Sequence, residues 1–354
     1  MISHSKPYID EEDAREVRRV LLSGQLAQDV EVARFENRMG SFIDVKGAVA
    51  VNSGTAALNL ALLALGVGPD SEVVIPSYVC QAVVNAVLFT RATPVVADID
   101  PVTFNISAED VKKRLSERTR AIIVPHMFGL PADMKALGSL GVAVVEDLAV
   151  ALGSRLCGKR AGGFGELAVC SFYATKMMAT GEGGMVLGKD EALLATVRDL
   201  RAMNDQEDFR IRYNYKMADL QAALGLSQLK KLATFINRRR EIAGVYNELL
   251  DRLGMPTPYV PADCEPVWHR YVLLLDSDAE PFIRDMNKRC IECRRPVFKP
   301  IHRYFGLSGY AVTDDVWRRA VSIPLYPALT DAEVESIVKS LRLVLPKYCT
   351  GKAC

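Results

Sequence analysis

The runs GAVAVNS, EVVIPS, TPVVAD, RAIIVPH, GVAVVED, LAVCSFYA and GGMVLG, spread from Gly47 to Gly188, constrain this chain more than any other feature. Each is short, rich in β-branched residues and continuously apolar rather than alternating. That is the pattern of strands buried on both faces of a mostly parallel sheet. Segments of helical spacing lie between them, among them TAALNLALLALG and SAEDVKKRLSE, the second with Ser107 as its expected N-cap. Repeated strand–helix units with right-handed crossovers give an α/β fold. Ligands of such sheets bind in the crevice beyond the strand C-termini. Polar and glycine residues collect at those ends: Asn52, Ser53 and Gly54, then Ser77 and Tyr78, then His126, then Asp147, then Ser171 to Lys176. Five clusters in order predict one site assembled from several loops.

From about Met217 the texture changes to two long amphipathic segments, MADLQAALGLSQLKKL and ATFINRRREIAGVYNELLDRL. RYVLLLD, a helix through EPFIRDMNKR, IECRRPVF and a last helix DAEVESIVKSLRLVL then describe a smaller α+β unit. The expected division is a large domain over 1–240 and a small C-terminal domain over 241–354. A chain of 354 residues has room for both. Its 44 Lys and Arg against 43 Asp and Glu give no electrostatic case for nucleic acid or an anionic membrane as partner. The polar start MISHSKPYIDEEDAREV has no apolar signal core, and no apolar segment is long enough to span a bilayer, so a cytoplasmic location is expected. Eight cysteines fit a reducing compartment, and the lone pair Cys290 and Cys293, without a second ligand pair, predicts no metal.

In CSFYATKMMATGEGGMV a lysine, Lys176, follows an aromatic run and precedes a Gly-Glu-Gly-Gly turn. It either snorkels to water or is held desolvated so that its amine attacks a carbonyl, as Schiff-base lysines do. In VNSGTAALNLAL, Gly54 and Thr55 open a helix whose N-terminus suits a phosphate, although Ser53 or Thr55 can equally cap that helix. GVAVVED ends in Glu146 and Asp147, either of which can pair with a cationic ring nitrogen. Asn214, between two tyrosines, and His302, after two prolines, read by themselves as a turn residue and a loop histidine. Asp98 and Asp100 in ADIDP read as a strand-end turn. A phosphate cup, a buried carboxylate and a lysine after an aromatic run are together what pyridoxal 5′-phosphate requires.

The ordered motifs SGQLAQDVEVARFE, VNSGTAAL, VIPSYVCQAVVNAV, PVVADIDPVTFNI, IIVPHMFGLPADM, VVEDLAVALGS, GGFGELAVCSFYATK, GEGGMV, YNYKMADLQAALGLSQLKKL and LYPALT resemble the DegT/StrS family of pyridoxal-phosphate sugar aminotransferases over nearly the whole chain. The resemblance implies the fold-type I architecture, a large domain with a mostly parallel seven-stranded sheet plus a smaller C-terminal α+β domain. It also implies a homodimer with shared sites and amination of a small-molecule keto substrate, usually a nucleotide-linked sugar, with L-glutamate the usual amino acid donor. By that resemblance Lys176 carries the cofactor, Asp147 pairs with the pyridine nitrogen, and Gly54, Thr55 and Ser171 contact the phosphate. Asn214 reaches the phosphate from the partner subunit, His302 falls near a substrate-side histidine, and Tyr78 lies in the loop beside the substrate.

Two positions depart from the family pattern. Val150 stands where Gln or His usually contacts the cofactor ring, and Cys80 where an aromatic usually stacks on it. Sulfur can lie against a π face with less area than a ring. These departures keep two further readings open beside amino-sugar biosynthesis. One is amination of a cyclitol or other small keto compound in a divergent branch; the other is a non-catalytic regulatory or scaffold protein that retains the fold.

Overall fold

The computed structural model describes residues 1–204 and 207–349. The seven apolar runs form β1 (Gly47–Val51), β2 (Glu72–Pro76), β3 (Thr93–Ala97), β4 (Thr119–Pro125), β5 (Ala143–Asp147), β6 (Leu167–Ser171) and β7 (Gly184–Gly188). They make one seven-stranded sheet in the order β1-β7-β6-β5-β4-β2-β3. β7 runs antiparallel to both β1 and β6, and the remaining pairs are parallel. The α/β, mostly parallel architecture is therefore the one the sequence predicts.

Successive residues of a strand enter different cores, which is why the runs are apolar without alternation. In β1, Val49 and Val51 pack into the cluster that holds Leu60 and Ala61 of the helix Gly54–Ala64. Ala48 and Ala50 pack on the other face with Phe35 and Met39. Ser107 caps the helix Ala108–Arg114, accepting from the Asp110 N–H at 3.3 Å.

One expectation for the second half needs correction. The two amphipathic segments after Met217 are one continuous helix, Asp219–Arg252. No proline interrupts it, and Gly225 sits where a Cβ would come within 2.7 Å of the Phe35 ring, so this glycine serves close packing rather than a break. In the C-terminal unit, IECRRPVF makes isolated bridges at Ile291 and Arg294. The partner strand of Tyr271–Leu274 is Ala320–Ile323, antiparallel to it. That pair, the helices Ala279–Asn287 and Asp331–Val344, and the end of the long helix share a separate core around Tyr246, Tyr271, Phe282 and Ile337. Position 240 thus falls inside the long helix. The N-terminus is stitched to the same unit: Ile2 donates to the Cys290 carbonyl at 2.7 Å and accepts from the Glu292 N–H at 3.0 Å. Among the described residues no helix is long and apolar enough to cross a membrane.

Candidate active site

One cleft of about 630 Å³ opens at the C-terminal ends of the strands, and Gly54, Thr55, Cys80, Asp147, Ser171 and Lys176 all line it. Four loops therefore meet where the strand order predicts a crevice.

The turn after β1 is built by close backbone approach. Ser53 is the N-cap of the helix Gly54–Ala64, accepting from the Ala56 N–H at 3.1 Å. The first-turn N–H groups of Gly54 and Thr55 have no intrahelical acceptor and sit at the positive end of the helix dipole. A Cβ on Gly54 would lie 2.7 Å from that of Ser171, so the Ser171 side chain stands directly against this turn. The Ser53 carbonyl blocks any side chain at Gly184, which holds β7 close to the same turn. This arrangement can receive a phosphate with backbone N–H groups and two hydroxyls.

The acids at the end of β5 divide cleanly. Glu146 is fully buried and accepts from His126 Nε2 at 3.0 Å and from the N–H groups of Gly162, Phe164 and Gly165 at 2.8, 2.7 and 2.8 Å. The His126 Nδ1 accepts from Ala132 N–H at 3.0 Å, so its Nε2 is the donor to Glu146. Burial raises the Glu146 carboxyl, but the His126 bond and the backbone N–H groups outweigh it and hold the group below its usual range. Its lone pairs are spent. Asp147 faces the cleft, 6% exposed, with the Ala149 N–H bonded to it at 2.8 Å. Burial pushes its carboxyl above the usual range, against the Ala149 N–H and the charge of Lys176. A buried carboxylate with no cation bonded to it suits a cationic ring nitrogen.

Lys176 ends the Ser171–Lys176 segment, its backbone N–H donating to the Tyr173 carbonyl at 2.9 Å. Beyond it the Gly181–Gly184 turn returns the chain to β7, and Glu182 and Tyr173 join the cleft wall. Both lie in the quoted stretch around Lys176, where nothing in the spacing separated them from turn residues.

Four of the expected residues lie elsewhere. Val150 is half-buried and off the cleft wall, where Ala149 stands instead. Tyr78 is fully buried against Phe104 and Phe128, with ring centroids at 6.5 and 6.2 Å, and burial raises its hydroxyl pKa. His302 is buried too: its Nδ1 meets the Ser77 hydroxyl at 2.5 Å and its ring stacks on Tyr310 at 4.7 Å. Neither lines the cleft of the single chain. Asn214 is exposed, and its carbonyl accepts from Asn52 Nδ2 at 3.3 Å, beside the Ser53 turn. Asp98 caps, accepting from the Val312 and Thr313 N–H groups at 3.2 and 2.9 Å. Among the described residues no group of three or more His, Cys, Asp or Glu is arranged to hold a metal.

The donor set fits pyridoxal phosphate: a phosphate turn, a buried acid with no cation bonded to it among the described residues and a primary amine share one cleft. Comparison with known proteins agrees. A family profile described as the DegT/DnrJ/EryC1/StrS aminotransferase family matches residues 7–342. GDP-perosamine synthase of Caulobacter vibrioides is 33% identical, with 89% of this chain and 90% of the relative covered. The crystal structure of the aminotransferase TlmJ from Streptoalloteichus hindustanus superposes with a TM-score of 0.92 at 31% identity, covering 98% of this chain and 99% of that one. The sugar aminotransferase Spr1654 from Streptococcus pneumoniae, described as putative and in its PMP form, gives 0.92 at 25% identity, covering 98% and 100%.

Proposed function

The chain belongs to the DegT/DnrJ/EryC1/StrS aminotransferase family, and from that premise we propose that it moves the amino group of L-glutamate to the keto carbon of a nucleotide-linked sugar. The single observation that carries this reading is the meeting of Lys176, Asp147 and the Gly54–Thr55 helix start in one cleft. Bound there, pyridoxal phosphate supplies an electron sink for the carbanion formed when a donor or product carbon loses its proton. The protein does the rest. The Gly54 and Thr55 N–H groups and the hydroxyls of Thr55 and Ser171 hold the phosphate. Asp147 keeps the ring nitrogen protonated, each unit of pKa it adds being about 1.4 kcal/mol in favour of that form. Lys176 would hold the cofactor through its amine, and that amine would serve as the base and acid that moves the proton at the substrate carbon. Overall, glutamate becomes 2-oxoglutarate and the ketone becomes an amine.

The exposed Asn214 supports a shared site in a homodimer. Phe209 and Ile211, just before it, are 100% and 68% exposed, as residues awaiting a partner surface would be. The cofactor-binding unit would span 1–240 and the small unit 241–354. GDP-perosamine synthase, whose name carries a nucleotide sugar, supports the substrate class.

Cys80, exposed on the cleft wall where a ring face is expected, favours one second reading, a smaller keto compound such as a cyclitol ketone. Incubating the cofactor-loaded protein with glutamate and either a nucleotide-linked keto sugar or a free cyclitol ketone separates them. The first reading expects 2-oxoglutarate to accumulate with the nucleotide-linked substrate; turnover only with the cyclitol would replace it. Turnover with neither, in a protein that still exchanges with glutamate, would reject both acceptors.

A further inference from the structure

Next to the Lys176 turn lies a second, tight pocket with room for about one small occupant, whose polar wall includes His4, Lys6, Thr175, Arg239, His269 and Arg270. No acidic residue lines it. Arg239 is 3% exposed and spends its Nη1 on the carbonyls of Trp268, His269 and Leu325, at 3.3, 3.1 and 2.9 Å. Its Nε has no partner among the described residues. The Arg270 guanidinium meets the His4 ring at 3.0 and 3.3 Å, and burial with the charges of Arg270 and Arg294 holds that imidazole down to about 3, so it faces Arg270 as a neutral acceptor. Among the described residues neither arginine has a carboxylate within ion-pair distance.

His269 borders the same space. It is 6% exposed, and its Nε2 donates to the Thr175 carbonyl at 3.2 Å. Its Nδ1, the acceptor nitrogen of the ring, is buried with no partner among the described residues. Burial and the charges of Arg270 and Arg239 hold this imidazole well below its ordinary pKa. Two guanidinium groups, one of them with an orphaned Nε–H, thus converge on a space whose wall carries no counter-charge. Buried charges in folded proteins are paired, and an uncompensated one is costly.

We propose that this pocket binds a single monatomic anion, of the size of chloride, held by Arg270 and Arg239. The anion neutralises the cluster where the N-terminal segment, the long helix and the small unit meet.

Thermal unfolding of the full-length chain as purified tests this, with gluconate replaced stepwise by chloride at constant ionic strength. The expected result is a saturable rise of about 2 °C or more, reproduced by bromide and absent in Arg270→Gln. A flat response, or an equal rise in Arg270→Gln, would overturn the proposal. Should Arg270→Gln fail to fold, bromide soaked into wild-type crystals decides. An anomalous peak between Arg239 and Arg270 supports the site, and a pocket holding only water rejects it.

Discussion

Asp147 has one hydrogen-bond donor, the Ala149 N–H, and looks into the cleft that Lys176 shares. Glu146, one residue earlier, has four donors and looks away. The chemistry of the site rests on that difference. Asp147→Asn is isosteric yet cannot hold a ring nitrogen cationic, so kcat should fall by about 10²–10³-fold with little change in stability, measured by 2-oxoglutarate release and urea unfolding. Glu146→Gln should do the reverse, unfolding more readily because a buried anion bonded by a histidine and three N–H groups is lost. The sequence showed two adjacent acids; which of them is spent on loop backbone depends on the 162–165 segment, which folds back only in three dimensions. His4 carries a pH prediction. Its folded pKa is depressed from 6.5 to about 3. Between those values the unfolded chain binds a proton that the folded chain does not, so stability falls as pH drops below 6.5. Tm followed from pH 7 to 5, before carboxylates titrate, should decline, and His4→Asn should lessen that decline, the remainder coming from His269 and His302, whose folded pKa values are also depressed.

At the scale of elements, the strands were legible because each is buried on both faces, and that demands continuous apolar runs. The strand order was not legible, since it follows from crossovers rather than from any run. β7 lies between β1 and β6 because it returns antiparallel after the Lys176 turn. The long helix hid its continuity behind two apolar stripes, and its start performs work for another element. Asp219, 1% exposed, accepts from the N–H groups of Asp29, Glu31 and Val32 at 2.7, 3.2 and 3.1 Å. It thereby caps the helix Val30–Ile43, whose own N-cap Asp29 makes no side-chain bond. Asp219→Ala should cost about 1–3 kcal/mol in denaturant unfolding, whereas Asp29→Ala should cost a few tenths at most. Gly54→Ala acts on the phosphate turn, where the new Cβ meets Ser171. It should weaken cofactor retention on dilution while leaving the fold intact.

At the scale of the whole molecule, one chain brings Lys176, Asp147 and the phosphate turn together but leaves Asn214 exposed. That residue was legible only through the resemblance, because its own neighbourhood reads as a turn. Tyr78 and His302, expected beside substrate, are instead packed into the seam where the β2 loop meets the small unit. Their polarity at a strand end and after two prolines gave no sign of burial. If sites are shared between subunits, Lys176→Ala and Asn214→Ala proteins, each nearly inactive, should recover about a quarter of wild-type activity after unfolding and refolding together, with one intact site in each mixed dimer. Recovery no greater than the sum of the two parents would mean that each chain holds a complete site.

The most direct measurement is the visible absorption of the protein loaded with pyridoxal phosphate, before and after L-glutamate, beside Lys176→Ala. The wild type should bind the cofactor as a coloured covalent species and lose that colour with glutamate, while Lys176→Ala shows only the spectrum of unattached cofactor. A wild-type protein that stays colourless with added pyridoxal phosphate, or a Lys176→Ala protein that behaves as the wild type does, would contradict the assignment of this cleft.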